Sequence, residues 1–258
     1  METDLRFFNV VDSTNTVVQS MADEGAREGT CVVALAQMKG QGRSGRSFFS
    51  PEGGNLYMSL LLRPKSDVIT SKITIAAAVS VSEVLDEVFD ITTGIKWVND
   101  IIYNDRKVCG IVATARNVGR ADMYVILGIG INIYAHDVPD DILGVYGSIL
   151  NRPCDLSVDE ERSFVEDLAQ KLINRFAKYY EDPGSPSLIK GYQKRSCVTG
   201  REVLYMSGND TKPAKVIGID DDGGIILDMN GTVRTYRDGE IRIKIPKMYS
   251  CAIIRESL

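Results

Sequence analysis

The pattern of apolar residues changes near residue 196, and this change limits the folds that the chain can adopt. Beyond that point the apolar residues fall only in short strand-like segments. These segments are residues 202–206, 214–219, 225–228, 232–236 and 241–245. Between the third and the fourth, Asn230-Gly231 predicts a two-residue hairpin turn, because both turn positions require a positive φ. Five short strands in about fifty residues predict a small β-barrel domain over residues 196–258.

Residues 1–195 combine helical and strand patterns instead. Helices are predicted over residues 14–24, 71–89 and 158–180, and strands over residues 30–37, 55–62, 94–103, 108–115 and 123–133. The last helix starts at a capping box formed by Ser157 and Glu160. Asn104-Asp105-Arg106 separates two strands by so short a turn that they must be antiparallel. The sequence therefore predicts an α+β domain over residues 1–195, followed by the barrel.

Charge and hydropathy argue against two broad classes of protein. A net charge of -5 at pH 7 disfavours a nucleic-acid-binding surface, which needs clustered cationic residues. No apolar run approaches the roughly 20 residues of a membrane span. Residues 1–8 contain Glu2, Asp4 and Arg6 and lack the pattern of a signal peptide. These observations predict a cytoplasmic protein that binds no nucleic acid.

Cysteine and histidine are too scarce for several kinds of catalytic site. The cysteines are Cys31, Cys109, Cys154, Cys197 and Cys251. They are scattered and form no CxxC pair, so we expect them to be reduced and to take no part in chemistry. A catalytic triad or a histidine-rich metal site would depend on His136, the single histidine, which lies in a predicted loop. The candidate chemistry is therefore one that works by positioning and charge.

A glycine-rich stretch at residues 40–46, GQGRSGR, follows a predicted strand. It matches the dinucleotide-binding pattern GxGxxG, but that pattern needs a helix at its last glycine, and here a strand follows. A dinucleotide oxidoreductase is therefore disfavoured. Glycines let the backbone approach an anion, and Arg43 and Arg46 can hold phosphate oxygens. The stretch predicts a mobile anion-binding loop that orders on its ligand; a solvent-facing loop whose arginines aid solubility is the alternative.

A second polar cluster lies at residues 96–100 (KWVND) and 106–110 (RKVCG). In a continuous strand, alternation would put Lys96, Val98 and Asp100 on one face. Trp97 and Asn99 would then lie on the other face. Charged residues in an otherwise apolar strand are costly unless they find partners or ligands. The cluster is therefore either part of a binding site or a Lys-Asp pair without a catalytic duty.

Five motifs, taken together and in this order, resemble those of biotin protein ligases. They are Ser13-Thr14-Asn15, the GxGRxGR loop at 40–46, KWVND at 96–100, RKVCG at 106–110 and GIGIN at 128–132. Each motif is weak alone, but their joint order over nearly the whole chain is specific. The resemblance implies the fold of these ligases, which is similar to that of class II aminoacyl-tRNA synthetases. This fold has a mixed, largely antiparallel sheet flanked by helices and a C-terminal SH3-like β-barrel.

The resemblance also implies an activity, ligands and a partner. A biotin protein ligase activates biotin with ATP to biotinyl-5'-AMP and transfers the biotin to a specific lysine of a biotin carboxyl carrier protein. The implied ligands are ATP, Mg²⁺ and biotin, and the implied partner is the carrier domain of acetyl-CoA carboxylase or a related carboxylase. A homodimer is implied as well. A lipoate protein ligase and a non-catalytic biotin or nucleotide sensor are the alternatives.

Individual residues receive roles from the same resemblance. The residues that match biotin-binding positions are Ser13, Thr14, Gln37, Gly40, Arg43, Lys107 and Gly110. Those that match ATP- or adenylate-binding positions are Arg46, Phe48, Asn99 and Asn132. Lys107, with Arg43 and Asp100, is the candidate for catalysis, since it resembles the lysine between the biotin carboxylate and the α-phosphate. Asp100 also resembles the residue that organises Mg²⁺ with the ATP phosphates. Helix capping is the alternative role of Ser13 and Thr14.

Three positions depart from the family pattern. Gln41 stands where many members have arginine, Val98 replaces a proline and Phe48 replaces a tryptophan. The first change removes a cation from the loop, and the last is expected to weaken stacking on adenine. The STN motif begins at Ser13, whereas some family members carry an N-terminal helix-turn-helix domain before it. We therefore expect the monofunctional type, without a DNA-binding domain.

Overall fold

The computed structural model describes residues 1–64, 70–208, 210–237 and 239–246, apart from the side chain of Ser44. The first strands are β1 (Asp4–Val11), β2 (Thr30–Gln37), β3 (Leu56–Leu62), β4 (Gly94–Lys96), β5 (Asp100–Tyr103), β6 (Arg106–Arg116) and β7 (Tyr124–Ile131). They form one sheet in the order β1-β2-β3-β7-β6-β5-β4. β1 and β2 pair in parallel, and the other neighbours are antiparallel. This confirms the predicted mixed, largely antiparallel sheet.

Helices flank both faces of this sheet. They are α1 (Thr14–Asp23), α2 (Thr70–Phe89), α3 (Asp140–Leu143), α4 (Val158–Glu181) and α5 (Pro186–Arg195). Strand alternation separates the two faces: Val33 and Leu60 belong to the large apolar core with α2 and α4. Val32 and Leu61 instead pack with Val18 of α1. The N-terminus of α1, which carries the STN motif, therefore lies on the face opposite to α2.

The structure adds three elements that the sequence did not predict: β1, α3 and α5. β1 lies at the sheet edge with most of its side chains partly exposed, so it lacks the apolar run by which a buried strand is found. α5 has Pro186 in its first turn, after Ser185 at its N-cap, which is a sequence signal for a helix start. Apart from 94–103, the helices and strands predicted before residue 196 are confirmed to within two residues at each end.

The prediction of one strand over residues 94–103 is wrong. The chain turns back after Lys96, so β4 and β5 pair with each other and Lys96 lies opposite Asp100. Lys96 and Asp100 are therefore cross-strand neighbours, and the predicted alternation of faces does not apply. Trp97 and Val98, joined by a cis peptide bond, form the turn and are buried. Apolar periodicity cannot distinguish such a buried turn from a continuous buried strand.

The C-terminal strands form a second sheet. They are β8 (Glu202–Ser207), β9 (Asp210–Ile219), β10 (Ile225–Met229), β11 (Thr232–Tyr236) and β12 (Arg242–Lys244). All pairs are antiparallel in the order β11-β10-β9-β8-β12, in agreement with the SH3-like expectation. Asn230 and Gly231 have φ of 56° and 89°, which confirms the predicted hairpin turn. Val216 and Leu227 join the same apolar core as α2. The division into domains 1–195 and 196–258 stays a prediction.

Among the described residues, Cys31, Cys109, Cys154 and Cys197 form no disulfide bond, and Cys251 lies outside those residues. Burial raises the pKa of Cys31 to about 12 and also raises the pKa of Cys109, so neither forms a reactive thiolate at neutral pH. Burial lowers the pKa of His136, which lies in a loop as predicted. In the described part of the chain, no helix has both the length and the apolar character that a membrane crossing requires.

The predicted capping box at the start of α4 is present. Ser157 Oγ accepts from Glu160 N, and Glu160 Oε2 accepts from Ser157 N at 2.9 Å. Ser157→Ala removes the first bond, so we expect the free energy of unfolding to fall by about 1 kcal/mol in urea denaturation. Ser185 makes no side-chain hydrogen bond to the backbone of α5, so Ser185→Ala is the matched control and should change stability much less. Equal losses in the two variants would contradict the assigned role of the cap.

Candidate active site

All five sequence motifs meet at one cleft on the α1 face of the first sheet. The N-terminus of α1 forms one wall, the glycine-rich loop forms another, and β3, β6 and β7 form the floor. The predicted site residues that line this cleft are Thr14, Gln37, Arg43, Arg46, Phe48, Asn99, Lys107 and Gly110. The structure therefore brings together most of the residues that the motifs indicated, although they come from positions as far apart as 14 and 110.

Four other predicted site residues lie beside the cleft. Ser13 is 1% exposed, and its hydroxyl has no hydrogen-bond partner within the described residues. Gly40 packs beneath the loop, where an added Cβ would lie 2.3 Å from the carbonyl oxygen of Phe48. Asp100 lies behind Lys107, with which it forms an ion pair. Asn132 is buried, and its amide donates to the carbonyl of Gly147 at 3.0 Å.

Three glycines leave the floor of the cleft without side chains. Gly110 on β6 and Gly130 on β7 are cross-strand partners, and Gly128 lies on the same face of β7. A Cβ added at Gly130 would lie 2.4 Å from the ring of Phe48, and one at Gly128 would lie 2.5 Å from the Asn15 side chain. The alternation of glycine with isoleucine in GIGIN therefore presents a bare surface to the cleft and apolar side chains to the core. Phe48 occupies part of this surface.

A hydrogen-bonded polar cluster forms the inner end of the cleft. Gln37 Oε1 accepts from both the backbone N–H of Thr14 at 2.9 Å and its hydroxyl at 3.1 Å. Gln37 Nε2 donates to Ser50 Oγ at 2.9 Å, and this hydroxyl donates to the Phe48 carbonyl. Ser59 Oγ lies 2.7 Å from Thr14 Oγ1. The amide of Gln37 is thus fixed in one orientation, with its oxygen engaged and one N–H free of these bonds.

The glycine-rich loop is a short hairpin over this cluster. Gln41 and Ser47 form an antiparallel bridge, and Gly42 N donates to the Arg46 carbonyl at 2.7 Å. A single 3-10 turn at Arg43–Gly45 forms the tip. Gln41, the residue that departs from the family's arginine, donates to Thr16 on α1 at 3.3 Å. The predicted change of the loop from mobile to ordered on ligand binding stays a prediction.

A β-bulge directs Lys107 into the cleft. Ile101 pairs with Cys109 and Ile102 pairs with Lys107, so Val108 is an extra residue on β6. If residues 107–109 formed a regular strand without a bulge, alternation would put Lys107 on the same face as Cys109, which is fully buried on the α2 side. With it, Lys107 Nζ lies 5.8 Å from the centroid of the Phe48 ring, within the cleft. The bulge therefore decides which side of the sheet receives this cation.

Two polar pairs connect the cations of the cleft to the β4–β5 hairpin. Lys107 Nζ lies 2.6 Å from Asp100 Oδ1, and Lys96 Nζ lies 3.9 Å from Asp100 Oδ2. Arg43 Nη1 donates to Asn99 Oδ1 at 2.9 Å. Asn99 is itself held, because its Nδ2 donates to the Ile111 carbonyl at 2.7 Å. Asn99 and Asp100, which are adjacent at the end of the β4–β5 hairpin, thus each bind one of the two cations of the cleft.

Sequence reasoning missed residues that support this site. Asn15 belongs to the STN motif but received no role, and it lines the cleft against Gly128. Ser50 and Ser59 bond to Gln37 and Thr14, and no local sequence signal marks either serine. Gly128 and Gly130 had a signal, since glycines that alternate within a strand often mark a close approach of another group. Their role as the floor could therefore have been predicted.

The glycine floor leads to a testable prediction. Gly130→Ala places a methyl group inside the contact distance of Phe48, and the displaced ring should narrow the cleft. Overpacking of this kind costs about 1–3 kcal/mol, so we expect the affinity for biotin, the ligand that the sequence resemblance implies, to fall roughly tenfold or more in titration calorimetry. Gly218→Ala on β9 is the control, because nothing lies within 4 Å of its added Cβ. Unchanged biotin affinity in Gly130→Ala would show that the floor does not shape the binding site.

Comparisons with known proteins identify relatives of this chain. A model of the Biotin/lipoate A/B protein ligase family matches residues 7–132. The bifunctional ligase/repressor BirA of Bacillus subtilis (strain 168) is 31% identical over 245 residues, which cover 93% of this chain and 74% of that protein. The biotin--[acetyl-CoA-carboxylase] ligase of Paracoccus denitrificans is 27% identical over 225 residues, or 84% of this chain and 90% of that protein.

A solved structure is also similar over nearly the full chain. The biotin protein ligase from Aquifex aeolicus in complex with biotin and ATP superposes with a TM-score of 0.77 at 27% sequence identity. The match covers 94% of this chain and 99% of that one, so it includes both sheets. The predicted α+β fold with a C-terminal SH3-like sheet is thereby confirmed.

Proposed function

Because the chain belongs to the Biotin/lipoate A/B protein ligase family, we propose that it activates biotin with ATP as biotinyl-5'-AMP and transfers the biotin to a lysine of a biotin carboxyl carrier protein. The observation that carries the proposal is the convergence of two cations, Arg43 and Lys107, on one cleft beside the Thr14–Gln37 cluster. The names of the relatives and of the solved structure support biotin over lipoate as the acid that is activated.

The polar cluster suits the ureido ring of biotin. A urea offers one carbonyl acceptor and two N–H donors, so it needs both kinds of partner. Gln37 keeps one N–H available after its bond to Ser50, and Ser13 contributes a buried hydroxyl that has no partner among the described residues. Thr14 adds a second hydroxyl at the same end of the cleft. We assign ureido recognition to Ser13, Thr14 and Gln37, whereas Phe48, which lies above Gly110, keeps its assignment to the adenylate.

Arg43 and Lys107 are suited to bringing the biotin carboxylate and the α-phosphate of ATP into contact. The biotin carboxylate and the α-phosphate of ATP repel each other, and reaction requires them in contact. Lys107 reaches the cleft from the sheet and Arg43 reaches it from the loop, so together they neutralise that repulsion from two sides. Arg46, which also lines the cleft, is the further loop cation assigned to the phosphates. Asn99 and Asn132 are assigned to the adenylate side, in accordance with the family motifs.

Magnesium enters this scheme with the nucleotide. Among the residues that the structure describes, no group of three or more His, Cys, Asp and Glu side chains could hold a metal ion on its own. Mg²⁺ commonly takes one or two carboxylates together with substrate phosphates, and Asp100 provides one carboxylate at the cleft. When bound, Mg²⁺ neutralises charge on the ATP phosphates. The ion pair with Lys107 holds the Asp100 carboxylate in its place.

The proposed reaction has two steps. In the first, a biotin carboxylate oxygen attacks the α-phosphorus, the bond to the bridging oxygen breaks and pyrophosphate leaves. In the second, the amine of the carrier lysine attacks the biotinyl carbonyl, AMP leaves and the amine loses a proton. The protein accelerates the first step by alignment and by charge neutralisation, both of which the cleft supplies. Closure of the loop over the cleft would exclude water from the anhydride.

Biotin and carrier assays test this proposal. Purified protein is incubated with Mg²⁺, ATP, labelled biotin and a biotin carboxyl carrier domain, with the target lysine intact or replaced. We expect label on the intact carrier alone and pyrophosphate exchange with biotin but not with lipoate. Biotin binding without carrier labelling would favour a non-catalytic sensor.

A homodimer, a cytoplasmic location and the absence of nucleic-acid binding remain proposals from the sequence.

Lys107→Ala tests the main catalytic assignment. Loss of one well-placed charge stabiliser costs roughly 3 to 4 kcal/mol, so biotin-dependent pyrophosphate release should fall about a hundred- to a thousandfold. Lys171→Ala is the control, since Lys171 is an exposed lysine on α4 that pairs with Asp167. It should leave the rate unchanged. Turnover near the wild-type value in Lys107→Ala would refute the assignment.

A further inference from the structure

The proposed chemistry leaves one feature of the KWVND motif unused: the indole of Trp97. Trp97 is 6% exposed and lies in the turn between β4 and β5. Its Nε1–H donates to the carbonyl of Gly223 at 3.0 Å, in a buried hydrogen bond that joins residues 126 positions apart. Gly223 lies between β9 and β10 of the second sheet. A residue of the active-site motif is thus bonded to the other sheet.

The acceptor turn is held rigidly. Asp220 Oδ1 accepts from the N–H groups of Asp222 at 3.0 Å and Gly224 at 2.7 Å, and Arg237 binds both carboxylate oxygens. Burial alone would raise the pKa of Asp220, but these hydrogen bonds outweigh burial and lower it. Gly223 has a φ of +83°, and an added Cβ would lie 2.1 Å from Ile75 on α2. The Gly223 carbonyl is therefore presented to Trp97 by a turn with little freedom to move.

Other late segments of the chain hold the same hairpin. Tyr192 on α5 donates its hydroxyl proton to the Val98 carbonyl at 3.0 Å, in a buried bond. Cys197 N donates to the Ile95 carbonyl at 3.0 Å. The strand and turn that precede Asn99 are thus supported from behind by residues that follow α4. In front, Asn99 contacts Arg43, and Asp100 contacts Lys107.

We propose that the second sheet is a positioning part of the active site, and that it acts through the Trp97–Gly223 hydrogen bond. The turn at Asp220–Gly224 fixes Trp97, Trp97 fixes the end of the β4–β5 hairpin, and the hairpin places Asn99 and Asp100 against the two cations. Trp97 is therefore a positioning residue and contacts no substrate. Its kinetic consequence rests on the proposed ligase function, whereas its structural consequence does not.

Trp97→Phe tests the bond, because phenylalanine keeps an aromatic ring but lacks the donor. Misplacement of catalytic groups by about 1 Å can lower rates on the order of a hundredfold. We expect kcat for biotin-dependent pyrophosphate release to fall ten- to a hundredfold while the affinity for biotin, whose ureido site lies on α1 and β2, stays within about twofold. Asp220→Ala, which loosens the acceptor turn, should reproduce this pattern. The variant that carries both Trp97→Phe and Asp220→Ala should have a kcat only slightly below that of either single variant, because the two residues act in one chain of contacts.

Ile243→Ala separates positioning from mere stability. Ile243 is a buried residue of β12 in the same sheet, and it lies at the opposite edge from β11 and β10. This variant should lower the melting temperature yet keep the wild-type kcat at temperatures where it is folded. An unchanged kcat in Trp97→Phe, or an equal fall in Ile243→Ala, would overturn the proposal.

A fluorescence readout is independent of the activity. Trp97 is the only tryptophan of the chain, so the emission of the protein reports this one ring. Asp220→Ala should shift or broaden that emission, whereas Ile243→Ala should not. Identical spectra for Asp220→Ala and the wild type would overturn the proposed contact even if the ligase activity is confirmed. If the protein has no ligase activity but Asp220→Ala shifts the emission, the Trp97–Gly223 contact is supported and only the proposed ligase function is refuted.

Discussion

The ammonium group of Lys107 must lie on the cleft side of the first sheet, because the other side is the apolar core. A β-bulge in β6 places it on the cleft side. Val108 shifts the register so that Lys107 enters the cleft while Cys109 stays fully buried. Regular alternation would have put the ammonium group into the core, where its desolvation is costly. The side chains around it follow from this placement. Asp100 and Phe48 both lie against Lys107, and the glycine floor gives Phe48 its space.

The cleft depends equally on positions in β6 and β7 that have no side chain. Gly110 of β6 and Gly130 of β7 face Phe48, so an aromatic ring can lie close to the backbone of a sheet. The loop that ends in Phe48 is a hairpin with its own backbone bonds, tied by Gln41 to α1. Gln41 is the loop residue that departs from the pattern of the sequence resemblance, and its amide makes this contact. A neutral side chain thus bonds the loop to the first helix.

Much of the fold was predictable because it rests on local patterns. Periodicity located α2 and α4, the Ser157–Glu160 pair located the start of α4, and Asn230-Gly231 located a hairpin. The errors have physical reasons. A buried turn at Trp97 and Val98 has the same apolar character as a strand, so β4 and β5 were merged. The bulge at Val108 leaves no trace in composition, and the roles of Ser50 and Ser59 exist only after distant strands pair.

The bond between Trp97 and Gly223 also constrains the order in which the molecule can be completed. The polar residues that line the cleft in the described part of the chain all precede residue 133, yet the support behind the β4–β5 hairpin comes from Tyr192, Cys197 and Gly223. During synthesis, a chain that has passed residue 133 but has not reached Tyr192 would hold the described polar groups of the cleft without this support, since domains form as the chain emerges. The support behind the hairpin would thus be complete only after Gly223 has been added to the chain.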